Sequence, residues 1–337
     1  MVVDSDGIEL PAWFMPARAG QPGPGVELVH GWESARDRTL PMAVFLHAAG
    51  FHCLTFDVRG HGANPAESLP ISGGEFGRDA GAAFRTLLER PEVTAGAISG
   101  HSMGAIGAIL AAAADPRVAA LVATSSPADP YRLTRQTFRL AHLPIPGPIA
   151  WPLAWLTTRV YLRPRGHRVA EISAAAAIAR YAGPVLLAHG DLDAVVPVGH
   201  MARLADAVRA SRMAGSGSGG SAAALETLVV PGGQHSWLYE HPSYRQTVAR
   251  MLARALRGPL SPDAAGAVAA ETHVERIPDA ETRFAATEAS GGGLRTLAGL
   301  ALPGATQRRP GGDQDADDRD PAGSEIESAS GGLAARP

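Results

Sequence analysis

Apolar runs alternate with longer stretches of helical periodicity along the first 257 residues. Mostly apolar runs at Val26–Val29, His52–Asp57, Ala95–Ser99, Ala119–Thr124, Val185–His189 and Leu225–Val230 predict strands. Between them, the periodicity predicts helices at about 37–49, 75–89, 103–114, 198–213 and 236–256. Strands without polar alternation, separated by helices of this length, imply an α/β fold: a mostly parallel central sheet with helices on both faces. Residues 130–180 break the alternation, with Trp151, Trp155, several prolines and a series of arginines. Lying between two strands, this segment predicts a small, mainly helical cap over the carboxyl edge of the sheet, where open α/β sheets bind ligands. The core is then expected at 1–129 and 181–257, with the cap at 130–180.

The composition changes near residue 258. From there to the end the chain carries 13 acidic residues and 7 Arg, a net of −6, against +3 for residues 1–257. Phe284 is the only aromatic residue in this stretch. Too little apolar surface is available to offset ordering entropy, so 258–337 is expected to be a disordered tail. Its apolar patch LRTLAGLAL, residues 294–302, is suited to becoming helical on an unidentified partner. Asp313, Asp315 and Asp317 mimic the start of a calcium loop, but Asp318 stands where glycine is required, and no metal site is expected. The GSGSGG run at 215–220 follows a helix and precedes a strand, the wrong order for a dinucleotide loop, and reads as a linker.

Residue usage then removes whole classes of chemistry. All 30 basic residues are Arg, so the phosphate-binding lysine loop and lysine-based covalent mechanisms are absent. A single cysteine, Cys53, excludes an internal disulfide and a cysteine zinc cluster. None of the 12 His precedes Glu, which removes the HExxH zinc signature, and no cofactor is expected. The net charge of −3 gives no reason to expect nucleic acid. The start MVVDSDGIEL lacks a basic-then-apolar leader, and Pro144, Pro146, Pro148 and Pro152 interrupt the most apolar stretch, 140–162. A cytoplasmic protein with no stable membrane insertion is expected.

AISGHSMG contains GxSxG at Gly100, Ser102 and Gly104, entered from an apolar strand and left through the small-residue helix AIGAILAAAA. Strand, sharp turn and helix is the context that exposes a nucleophile, and glycine is needed where the two elements cross. A serine hydroxyl also requires a base to take its proton and an acid to orient that base. HGDLDAVVP supplies Asp193 after one strand, and PGGQHSW supplies His235 after the next. Asp191 and Asp129 remain alternative acids, and His241 an alternative base. At the helix start, Met103 offers a backbone N–H to an oxyanion. The ELVHGW segment offers the Trp32 N–H as a second donor, with Trp32 equally suited to be a pocket wall. Asp57, Arg59 and His61 in FDVRGHG are expected to hold their loop in a hydrogen-bonded network.

In this order HGW, DVRGHG, GHSMG, HGDLDAVVP and GGQHSW resemble the α/β-hydrolase superfamily. Within it the chain is similar to the serine-hydrolase branch of bacterial esterases, lysophospholipase-like enzymes and serine aminopeptidase-like hydrolases. The resemblance covers residues 5–257 and implies the α/β-hydrolase fold. It also implies a nucleophile at Ser102, an acid at Asp193, a base at His235 and oxyanion donors at Trp32 and Met103. It places one or two more antiparallel strands before the position of Ile8, where this chain has almost begun, so a trimmed sheet edge or a late start is expected. The implied activity is hydrolysis of carboxylic esters or thioesters of a small acyl substrate through an acyl-enzyme on Ser102. Amide or peptide hydrolysis is the alternative, and a non-catalytic binding module on the same fold is a third. Trp151, Leu153, Trp155 and Leu156 predict an apolar acyl pocket in the cap, whose arginines are otherwise suited to a substrate carboxylate or phosphate.

Overall fold

The computed structural model describes residues 1–17, 21–215 and 224–277, all within one compact unit. The GSGSGG run from residue 216 on, the 294–302 patch and the aspartates at 313–317 lie outside the described residues. The sheet strands are β1 (Val2–Ser5), β2 (Ile8–Met15), β3 (Gly23–Val29), β4 (His52–Phe56), β5 (Val93–His101), β6 (Val118–Thr124), β7 (Val185–Gly190) and β8 (Leu225–Val230). Their order is β1-β2-β4-β3-β5-β6-β7-β8. From β4 to β8 every neighbouring pair is parallel, and β2 runs antiparallel to both β1 and β4.

Period two sorts the central strands onto two cores. Ile98, Leu121, Ala123 and Leu187 point to one face, under α2 (Gly73–Leu88), α3 (Met103–Ala114), α6 (Ala174–Ile178) and α7 (Gly199–Gly215). Ala97, Ala120, Val122 and Leu186 point to the other, under α1 (Leu40–Ala48), α8 (Pro242–Leu256) and α9 (Pro262–Glu271). Helices on both faces account for strands that are apolar throughout.

Two expectations are corrected. β1 precedes Ile8 and pairs with β2 from Val2↔Pro11 to Ser5↔Ile8, so the sheet carries an antiparallel strand where a trimmed edge was expected. Nor does disorder begin at 258. Residues 262–271 form α9, capped by Ser261, whose Oγ accepts the Ala264 N–H. Arg245 on α8 anchors it, donating from Nε to the Ala269 carbonyl and from Nη2 to that of Ala270. Ala265 and Ala269 are fully buried, so methyl groups and a guanidinium on the helix's last carbonyls suffice to dock a segment without large apolar side chains. From residue 278 the tail lies outside the described residues.

Between β6 and β7 run α4 (Pro130–Leu140), α5 (Gly147–Leu162) and α6. The first two stand over the carboxyl edge, whereas Ala174, Ala177 and Ile178 of α6 are part of the main core. Pro152 sits inside α5, and the helix continues past it. This pair of helices is tied down at several points. Tyr161 Oη donates to the Ile71 carbonyl (2.6 Å), Arg165 pairs with Glu67 (2.7 Å), and His167 Nε2 meets buried Glu75 (2.6 Å). Gln136 donates to the Ala194 carbonyl (2.8 Å).

Candidate active site

Ser102 joins β5 to α3 at φ 55° and ψ −119°, a region that L residues rarely enter. The flanking glycines are there because backbone fills the space a side chain needs. A Cβ on Gly100 would overlap the Gly104 carbonyl, and one on Gly104 would overlap the carbonyl oxygens of Val29 and His30. Ser102 N–H bonds the Thr124 carbonyl (2.9 Å), which fixes the turn to β6.

Three residues far apart in sequence converge at this turn. His235 Nε2 lies 2.9 Å from Ser102 Oγ, and His235 Nδ1 lies 2.8 Å from Asp193 Oδ2. All three are buried. Burial alone would raise the Asp193 carboxyl, but hydrogen bonds from His189 and His235, with the Val196 N–H on Oδ1 (2.7 Å), hold it well below the usual carboxylate range. Buried Glu27 has the opposite fate. No hydrogen-bond partner reaches its carboxyl among the described residues, and burial pushes it well above that range.

The remaining candidates fall elsewhere. Asp191 is exposed and accepts the Gly232 N–H (2.7 Å). Asp129 caps α4, accepting the Arg132 N–H (2.9 Å). His241 is the residue before α8. Asp57 accepts the N–H groups of Arg36 (2.7 Å) and Ala63 (2.9 Å), Arg59 grips Asp79, and His61 Nδ1 bonds the Arg59 carbonyl (3.0 Å).

Sequence reasoning assigned no role to three residues that hold the site. His189 Nε2 donates to the Val196 carbonyl (2.7 Å) and lies 3.2 Å from Asp193 Oδ2, so two imidazoles face one carboxylate. His101 Nε2 and Ser125 Oγ both donate to the His235 carbonyl (2.8 and 3.2 Å), clamping the loop that carries the imidazole. His189 stands in the HGD motif and His101 inside GxSxG. Their positions were visible, but the atoms they bond were not.

Chain segment 31–32 passes directly over the turn: a Cβ on Gly31 would stand 3.4 Å from Ser102 Cβ. The Trp32 ring stacks on Phe76 (6.4 Å) and meets His61 edge-on (5.1 Å). Met103 opens α3, so its N–H has no partner within the helix.

Above Ser102 is a cavity of about 280 Å³, lined by Trp32, Met103 and largely apolar side chains that include Leu133, Phe138, Leu162 and Ile172. Among the described residues no Arg, Asp or Glu lines it. The expected pocket residues Trp151, Leu153, Trp155 and Leu156 are absent from this lining and are exposed on α5. Leu153 and Leu156 lie on the side of α5 opposite its buried residues, and α4 supplies the apolar wall instead. Cap arginines do not reach the cavity either. Arg135 lies over the Trp151 ring (4.2 Å) and Arg159 over Trp155 (3.9 Å). Among the described residues no His, Cys, Asp and Glu group is arranged to hold a metal ion.

Comparison with known proteins bears on the fold. Residues 20–164 match the family model described as serine aminopeptidase, S33. An uncharacterized protein of Mycobacterium tuberculosis is 32% identical over 202 residues, 58% of this chain and 62% of that protein. The match thus spans less than two thirds of the relative's length. An esterase of Pyrococcus furiosus, Pf2001, superposes with a TM-score of 0.57 at 19% identity, covering 76% of this chain and 90% of that one. Est1E of Butyrivibrio proteoclasticus, solved with ferulic acid, gives 0.54 at 21% identity over 70% and 90% of the two chains. An acetyl xylan esterase of Paenibacillus sp. R4 gives 0.54 at 20% identity over 76% and 83%. Residues 20–164 thus resemble the serine aminopeptidase, S33, family, and the chain has the fold of those esterase structures.

Proposed function

We propose that this chain hydrolyses carboxylic esters or thioesters of an uncharged acyl group through an acyl-enzyme on Ser102. The observation that carries the reading is the unbroken line Ser102 Oγ, His235 Nε2, His235 Nδ1, Asp193 Oδ2, with spacings of 2.9 and 2.8 Å, at the base of an apolar cavity. His235 Nε2 takes the Ser102 proton as Oγ attacks the acyl carbon. Asp193, kept ionised by its hydrogen bonds, holds Nδ1–H in place and stabilises the imidazolium that forms. The Trp32 and Met103 N–H groups receive the oxyanion. His235 then returns the proton to the leaving oxygen or sulfur, and water activated by the same imidazole releases the acid.

A charge-free lining supports a neutral acyl chain over a charged substrate. It also weighs against an aminopeptidase, which needs a carboxylate for the substrate amine. Cys53 offers no competing nucleophile, because burial pushes its thiol up to about 12. The filled and aligned site weighs against a binding module.

Fluorophosphonate labelling with peptide mass mapping tests the reading. An adduct on Ser102 is expected in the intact chain and lost in His235→Ala. Hydrolysis of butyrate to octanoate esters should fall roughly 10⁶-fold in Ser102→Ala. A labelled protein without adduct on Ser102, or equal rates on aminoacyl anilides and esters, overturns it.

A further inference from the structure

The helix α5 is inside out for a protein bathed in water. Toward the protein it buries Ala150, Ala154, Thr158 and Leu162, a stripe at i, i+4, i+8 and i+12 made mostly of small residues. Its large aliphatic residues form a second stripe at Ile149, Leu153, Leu156 and Val160, all exposed at 36–62%. At 100° per residue this outer stripe spans an arc of about 60°, centred roughly 150° from the buried one. Nothing among the described residues covers this stripe, whereas the exposed Trp151 and Trp155 lie off it, roughly 170° and 130° from its centre.

The charge around this face is of one sign. Residues 130–170 contain seven Arg and no Asp or Glu. Arg132 pairs with Asp129, Arg165 with Glu67 and Arg168 with Glu171, but no ion pair forms at Arg135, Arg139, Arg159 or Arg163 among the described residues. Arg163 and Arg159 border the outer stripe, offset from its centre by roughly 50° and 90°. Arg135 and Arg159 lie over the two exposed indoles.

We propose that the outer face of α4 and α5 docks on an anionic lipid surface. Aliphatic residues along one helical stripe, bordered by arginines, match what an interfacial helix presents: an apolar core that enters the acyl boundary and cations for lipid phosphates. Each arginine held near such a surface contributes roughly a fivefold gain in affinity at low salt. A second copy of this chain fits the face poorly, because a two-fold contact would bring the same unpaired arginines together. Nor does the helix span a bilayer: at 16 residues it reaches only about 24 Å. No described helix is long and apolar enough to cross a membrane. The inner faces of α4 and α5 line the cavity above Ser102 while their outer faces meet lipid, which places the site beside membrane-borne acyl esters. Docking itself does not depend on the catalytic reading.

Flotation of the full chain with vesicles of phosphatidylglycerol and phosphatidylcholine in equal parts, against pure phosphatidylcholine, tests the proposal. Binding is expected on the mixed vesicles and should weaken at about 0.5 M salt. Leu153→Glu with Leu156→Glu should lower the bound fraction at least tenfold (roughly), and Arg135→Gln with Arg159→Gln and Arg163→Gln should remove its salt sensitivity. Both variants should hydrolyse a short soluble ester at the parental rate. That control separates loss of docking from loss of fold, and a failure of the esterase reading would show there and in the Ser102 labelling. Three results overturn the proposal: no flotation by the intact chain, flotation unchanged in the leucine variant, or a lipid-free dimer that the leucine variant dissociates.

Discussion

Small residues face inward both at the carboxyl edge of β5 and along α5, for different reasons. At the edge, Gly100 and Gly104 stand where β3, β5 and α3 backbones cross, and an added methyl meets main-chain oxygens that cannot withdraw. Along α5, Ala150, Ala154 and Thr158 let the helix lie close to its neighbours while its largest side chains point outward. At the first place the fold dictates the residue. At the second, packing constrains only the inner stripe, and the outer stripe answers to something beyond the fold.

Titration sharpens this contrast most. Burial holds His30 and His61, in the loops after β3 and β4, and His200, in the first turn of α7, down to about 4 from an ordinary 6.5. Between those values the unfolded chain binds protons that the folded chain refuses, so stability rises with pH and is lost on acidification from 6.5 toward 4. Each contributes at most roughly 3 kcal/mol, and the total reaches several kcal/mol in denaturant titrations. Asp193 acts at lower pH, because a carboxyl held low stabilises fully above its unfolded value and loses that progressively as the pH falls from there toward its folded value. Glu27 opposes the histidines: held protonated by burial, it costs stability as pH rises above 4.5. Glu27→Gln should therefore raise stability at neutral pH and steepen the acid loss. A flat profile between pH 4 and 6.5 in that variant would show that the histidines are not held neutral.

Next in size is Gly104→Ala, expected to cost about 3 kcal/mol or more through overlap with the Val29 and His30 carbonyls. An unchanged Tm would mean that α3 and β3 have room to part. Smallest is Leu153→Ser with Leu156→Ser, which should leave unfolding free energy within about 0.5 kcal/mol of the parent. A loss of several kcal/mol there would make the outer stripe part of the core and erase the contrast.

Much of the sheet was legible because β6 and β7 are buried on both faces, so most residues in them are apolar. β1 and β2 were not, since β1 is only four residues long and Pro11 interrupts β2 in mid-run, leaving neither clean alternation nor a solid apolar run. In α9 the docking residues are alanines, indistinguishable from a flexible, alanine-rich tail until Arg245 is seen on the Ala269 and Ala270 carbonyls.

By itself, the sequence determined the six parallel strands, the glycine-flanked turn at Ser102, and the chain order in which Asp193 and His235 follow. Each of these is set by local periodicity or by steric demands confined to a few consecutive residues. Only the tertiary structure decided which of three aspartates reaches His235, because that choice turns on distances between loops from different strands. Only it placed His189 on the far side of the same carboxylate. It also decided which face of α5 meets the protein, since a helix apolar nearly all round carries no sign of its inward side until α4 and the rim of the sheet pack against one stripe.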